Sequence, residues 1–137
     1  MVYKYALIPV MAWFAAGSLK FMINYIRFQK QAVTLIGNGG FPSTHTTVMS
    51  STVFLIGLSE GSSSPVFGLG VAVLMITIID ALGIRRAVGK QANVINRYMA
   101  LQKTDESVLR ERQGHSPLEV LGGLVLGFLL AYFFNQI

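Results

Sequence analysis

Cysteine is missing altogether, which rules out a disulfide framework and any thiolate metal site. Charge is scarce as well: only 12% of the 137 residues carry it, and none does from residue 61 to 79 or from 120 to 137. A water-soluble domain of this length would distribute charge around every surface helix, so these gaps point to a lipid environment. The sequence also has no internal repeat and no low-complexity tract. Its start, Met1 to Lys20, lacks a small-x-small cleavage pattern after the apolar run and reads as a retained helix rather than a signal peptide.

What is present is a set of four apolar blocks, at about residues 3–26, 44–60, 66–84 and 117–135, each near the roughly 20 residues that cross a bilayer. The expected fold is all-α: a single polytopic integral membrane domain over 1–137, with about four transmembrane helices plus an interfacial amphipathic helix. The second block is short and rich in Thr and Ser from Thr44 to Thr52, which suits an interior helix whose hydroxyls bond carbonyls along or across the bundle. Glu60 to Pro65 is a tight turn signal, making the second and third blocks an antiparallel hairpin. Residues 85–114 mix basic residues with Val88, Ala92, Ile95, Tyr98 and Met99 at helical spacing, an amphipathic segment expected to lie in the membrane interface.

The basic residues sort by connection. Lys20, Arg27 and Lys30 fall between the first two blocks, and Arg85, Arg86, Lys90, Arg97, Lys103, Arg110 and Arg112 between the last two, with Lys4 alone opposite. The positive-inside rule makes that face cytoplasmic and leaves both termini and the 60–65 turn on the other side.

Both histidines of the chain begin blocks on this face. Gly39, Gly40, Phe41, Pro42, Ser43, Thr44 and His45 bring backbone N–H groups and hydroxyls to a helix N-terminus, an arrangement suited to an anion. The plainer reading is a capped helix start with an interfacial histidine. Further on, Gly114 and His115 precede Ser116, Pro117, Leu118 and Glu119. His115 and Glu119 are four apart, so the carboxylate can bond one ring nitrogen and leave the other as nucleophile or base. Here the plainer reading is a first-turn Glu that complements the helix dipole beside an incidental histidine. Lys20 and Arg27 share a helix face two turns apart, as a snorkelling pair also would. Asp80 lies inside the third block and needs a basic partner, for which a structural ion pair is the simpler account.

Taken together these segments resemble the type 2 phosphatidic acid phosphatase superfamily of lipid phosphatases, bacterial acid phosphatases and vanadium haloperoxidases. Its three motifs are Lys, six residues, Arg-Pro; then Pro-Ser-Gly-His; then Ser-Arg, five residues, His, three residues, Asp. Lys20 and Arg27 match the first, with Phe28 for Pro, and Pro42 to His45 match the second, with Thr44 for Gly. His115 and Glu119 match the end of the third, Glu replacing Asp. Arg85 or Arg86 stands for its arginine, about thirty residues before His115 instead of the expected five or so, and this insertion resembles the superfamily's divergent branch.

The resemblance implies a phosphoric monoester or diphosphate hydrolase with an amphiphilic substrate of phosphatidate or polyprenyl diphosphate type. By the same resemblance, His115 is the nucleophile, Glu119 its orienting carboxylate and His45 the acid and base, while Lys20, Arg27, Ser43, Thr44, Arg85 and Arg86 bind phosphate. No metal and no cofactor are expected. The expected partners are the lipid bilayer and the amphiphilic phosphate, with no nucleic acid and with a homo-oligomer left open. Two other readings fit the residues: an inactive membrane protein that binds lipid phosphate or serves in a complex, and a transporter.

Overall fold

A computed structural model describes residues 3–29, 40–103 and 106–137; Lys30 and Gly39 of the sequence argument lie outside them. The described residues form five helices and no strand: α1 (Lys4–Phe28), α2 (Thr44–Glu60), α3 (Pro65–Leu82), α4 (Ile84–Gln102) and α5 (Pro117–Asn135). Among the described residues, three stretches are long and apolar enough to cross a membrane: α1, α3 in continuity with α4, and α5. The chain is thus an all-helical membrane protein.

The second helix is the exception. Its 17 residues reach about 25 Å at 1.5 Å per residue, short of a bilayer core of about 30 Å. It is instead the hub of the bundle, packed against α1, α3 and α5. Its buried face is largely hydroxylic, with Thr46, Thr47, Ser50 and Ser51 all at 0% exposure. Each of those hydroxyls has a partner: Thr47 donates to the Ser43 carbonyl at 2.9 Å, Ser51 to Val48 at 2.9 Å, and Ser50 across the interface to the Gly123 carbonyl at 3.2 Å. Thr46 shares a 2.8 Å bond with Ser43 Oγ. Buried polar groups that are all satisfied fix one register of α2 against α5 without the cost of orphaned donors.

Close approach of those two helices depends on small residues. A Cβ at Gly127 would fall 2.0 Å from Ser50 Oγ, and one at Gly123 would fall 2.7 Å from the Ser43 carbonyl oxygen. With Ala131, these glycines form a stripe at i, i+4 and i+8 facing α2. Farther along, Ile8, Leu55 and Ala131 make the apolar core, and Ser59 reaches Asn135. These pairings run in step, so α2 and α5 are parallel. By contrast Gly57 meets Phe67 while Gly70 meets Val53, so α3 runs antiparallel to α2 as the short turn requires. The end of α1, the start of α2, the end of α3 and the start of α5 therefore gather at one end of the bundle.

Gly83 separates α3 from α4. Where a single amphipathic segment over 85–114 was expected, the helix stops at Gln102, and residues 106–113 return along α4 without regular secondary structure. The cause is a pair of asparagines. Asn96 both donates to and accepts from the Leu109 backbone at 2.8 Å, and Asn93 and Asn96 hold the Glu111 carboxylate at 2.6 and 2.8 Å. Gly89 makes room for the returning chain, since a Cβ there would sit 2.3 Å from the Glu111 carbonyl oxygen. An exposed apolar stripe of Ile84, Val88, Ile95 and Tyr98 remains on α4.

Candidate functional site

The site begins with how α5 starts. Ser116 is its N-cap, and Glu119 closes a capping box: the Ser116 hydroxyl accepts from the Glu119 amide at 3.3 Å, and Glu119 Oε2 accepts from the Ser116 amide at 3.1 Å. The same Oε2 lies 2.9 Å from His115 Nδ1. An ionised carboxylate only accepts, so Nδ1 carries the proton and Nε2 keeps its lone pair. One carboxylate oxygen thus fixes both the helix start and the histidine tautomer.

His115 is pinned from a second direction. Its amide donates to the Ala81 carbonyl at the end of α3, at 3.0 Å. Gly114 makes this docking possible, with φ of +78° and no space for a Cβ, which would lie 2.8 Å from both the Ala81 carbonyl oxygen and the Arg86 amide nitrogen. The other histidine segment is joined to the same place, because the Ser43 amide donates to the Glu119 carbonyl at 2.8 Å.

Around this frame the charged side chains converge. His45, exposed in the first turn of α2, feels the charges of Arg85, His115, Lys20 and Asp80. Half-buried Lys20 of α1 feels Glu119 and Arg110, and its stem lies beside Gly40. Arg85 pairs through Nε with Asp80 and acts on both histidines, so the partner that Asp80 required is Arg85. The insertion between Arg85 and His115 does not separate them, because it leaves on α4 and comes back along it.

Not every residue named from the sequence joins this group. Arg27 is exposed in the last turn of α1 and is not among the charges acting on either histidine. Ser43 is fully buried, its hydroxyl spent on Thr46 as an N-cap. Thr44 is the first residue of α2, and its amide has no partner within the helix. Arg86 is not among the charges acting on either histidine, but it packs against Gly114 and lines a cavity with Arg112 and the His115–Glu119 pair. Sequence reasoning missed the Ala81 carbonyl, a backbone group that leaves no side-chain signal. Among the described residues, no three His, Asp or Glu side chains are placed to hold a metal ion.

Burial holds His115 below the ordinary histidine pKa, and the Lys20 and Arg85 charges push the same way, while the hydrogen bond and charge of Glu119 oppose them. The ring is therefore neutral near pH 7 and gains its proton only in more acid solution. Glu119→Gln removes the opposing charge, so the His115 titration moves to still lower pH. Histidine NMR titration of the two proteins measures this, and an upward move would contradict the account.

Fold and site define an all-helical membrane protein with a histidine–carboxylate pair set among basic residues at one end of the bundle. The chain belongs to the Divergent PAP2 family, which it matches over residues 3–130. It is 32% identical over 139 residues to the uncharacterized membrane protein YuiD of Bacillus subtilis (strain 168), an alignment covering 87% of this chain and 88% of that one. No solved structure matches it. This is the divergent branch that the motifs of the sequence resemble.

Proposed function

We propose that the protein is a metal-independent phosphatase acting on a membrane-associated phosphate or diphosphate monoester through a phosphohistidine. The observation that carries the reading is the Glu119–His115 bond at 2.9 Å, with Lys20, His45 and Arg85 acting at the same place. His115 Nε2 attacks phosphorus in line, forming an N–P bond as the P–O ester bond breaks, and the leaving oxygen takes a proton from His45. His45, now neutral, removes a proton from water; the water oxygen bonds to phosphorus, the N–P bond breaks, and phosphate leaves. Lys20, Arg85 and the Thr44 amide stabilise the equatorial oxygens. Arg27 and Ser43, named from the motifs, need a rearrangement to take part.

A second reading has its own support. Arg85 is already paired with Asp80, and Thr44 puts a β-branched side chain where the superfamily motif has Gly, both of which favour a protein that binds lipid phosphate without turning it over. Purified protein in detergent with a chelator separates the two. The phosphatase releases phosphate from phosphatidate, lysophosphatidate or a polyprenyl diphosphate and is inhibited by vanadate. Binding of one of these with no release from any of them establishes the second reading.

The site face is proposed to be cytoplasmic, on the strength of the basic residues in its connections. With no native cysteine to interfere, Ser63→Cys and Gln102→Cys report on orientation. An impermeant thiol reagent applied outside intact cells is expected to label position 63 and not 102, and the reverse pattern overturns the orientation.

A further inference from the structure

One side of α4 is bare. The charge-free run of residues 61–79 ends about one helical turn before Gly83, so α4 begins where the apolar part of the membrane ends. At Gly83 the backbone, with φ of −107° and ψ of −84°, leaves the α-helical region, and among the described residues α4 packs against no helix but α3. At about 100° per residue, Ile84, Val88, Val94, Ile95, Tyr98 and Leu101 fall in one sector of it. The returning segment lies on the other side, fastened at Gly89, Asn93 and Asn96. It leaves the apolar sector uncovered: Ile84, Val94, Tyr98 and Leu101 are 63–82% exposed. A helix standing out in water would hold these side chains against the solvent, whereas one lying along the bilayer surface buries them.

Charge on this helix is of one sign. From residue 84 to 103 there are five basic residues and no acid. Arg85 is engaged by Asp80 and Arg86 packs against Gly114, which leaves Lys90, Arg97 and Lys103. Lys90 and Arg97 border the apolar sector on one edge and Lys103 borders it on the other, each roughly a third of a turn from its middle. All three are exposed, and among the described residues none forms an ion pair, although the Arg97 charge reaches Glu111. Cations at those edges stand level with lipid phosphates when the apolar side rests in the acyl boundary.

We propose that α4 is a recognition surface for acidic phospholipids: it lies in the headgroup layer, and Lys90, Arg97 and Lys103 gather lipids of net negative charge around it. A zwitterionic headgroup brings an ammonium with its phosphate, whereas phosphatidylglycerol brings a net charge that a helix without acids attracts unopposed. The proposal goes beyond phosphate transfer at His115 and holds equally for a catalyst and for a binding protein.

The test is depth-resolved fluorescence quenching on the full chain in phosphatidylcholine vesicles containing a minor share of phosphatidylglycerol. With no native cysteine, Ile95→Cys in the apolar sector and Ala100→Cys on the opposite side each carry one fluorophore. A nitroxide is placed at a shallow or a deep acyl position of either lipid. Shallow nitroxides are expected to quench position 95 more than deep ones do, and position 100 is expected to be quenched much less by both. At equal mole fraction and low salt, nitroxide on phosphatidylglycerol is expected to act at position 95 as though about threefold more concentrated than nitroxide on phosphatidylcholine. High salt brings that ratio to about one, and so does the triple variant Lys90→Gln, Arg97→Gln, Lys103→Gln, with position 95 still shallow. The proposal is overturned if the wild-type ratio is already one, if salt leaves it unchanged, or if the triple variant keeps it. Strongest quenching of position 95 by deep nitroxides, or none by any lipid, overturns it as well. In the last case energy transfer between donor-labelled and acceptor-labelled chains shows whether a second copy covers the stripe instead.

Discussion

On the proposed mechanism, His115→Ala is expected to lower kcat by more than about a thousandfold and to abolish any acid-labile phosphoenzyme, because it removes the atom proposed to bond to phosphorus. His45→Ala is expected to behave differently. Without the proposed general acid, turnover of alkyl phosphates is expected to be slow, but an aryl phosphate with a good leaving group needs little protonation and is expected still to transfer its phosphoryl group. The second half-reaction then stalls for want of a base, so the phosphoenzyme accumulates in His45→Ala. Rapid-quench labelling with an aryl phosphate distinguishes the two variants. Equal losses with no phosphoenzyme in either would remove the assignment of separate roles. The asymmetry has a structural basis: His115 is buried and held by Glu119 and the Ala81 carbonyl, while His45 is exposed on the first turn of α2.

Gly127→Val is expected to cost about 3 kcal/mol or more of stability, at the upper end of what overpacking does, since the new Cβ would lie 2.0 Å from Ser50 Oγ and 2.9 Å from the Ser51 backbone nitrogen. Ser50 can turn away only by giving up its bond to Gly123, and the backbone of Ser51 cannot turn away at all. The helices must separate, which also strains the Ser43 to Glu119 backbone bond joining the two histidine segments. Gly68→Ala is the control: nothing lies within 4 Å of its Cβ position, so the change is expected to be neutral or stabilising by up to about 1 kcal/mol through the lower chain entropy of alanine. Equilibrium unfolding in mixed detergent and dodecyl sulfate micelles compares them, and similar stability of the two variants would contradict the packing account.

Much of this was legible along the chain. The charge-free runs mark the lipid-facing helices, and hydroxyl-rich Thr44 to Thr52 marks the interior one, because each is a local consequence of the solvent a segment meets. The His115–Glu119 contact was legible for a similar reason: four residues is about one helical turn, so spacing alone brings the groups together. What spacing could not reveal was the fate of the insertion. In sequence, the about thirty residues between Arg85 and His115 read as a gap in the site. In space, α4 and residues 106–113 form a closed excursion, held by bonds between groups 13 to 18 residues apart.

The sequence by itself therefore determined the class of environment, the helices and the histidine with its carboxylate, all set by solvent preference or by contacts within a turn. Only the tertiary structure decided which cations stand where. It drew Arg85 to Asp80 and the histidines, set its neighbour Arg86 with Arg112 on a cavity that His115 and Glu119 also line, left Arg27 at the exposed end of α1, and buried the Ser43 hydroxyl as a cap. Adjacent residues on a helix point about 100° apart, so which face meets which neighbour depends on how whole helices pack.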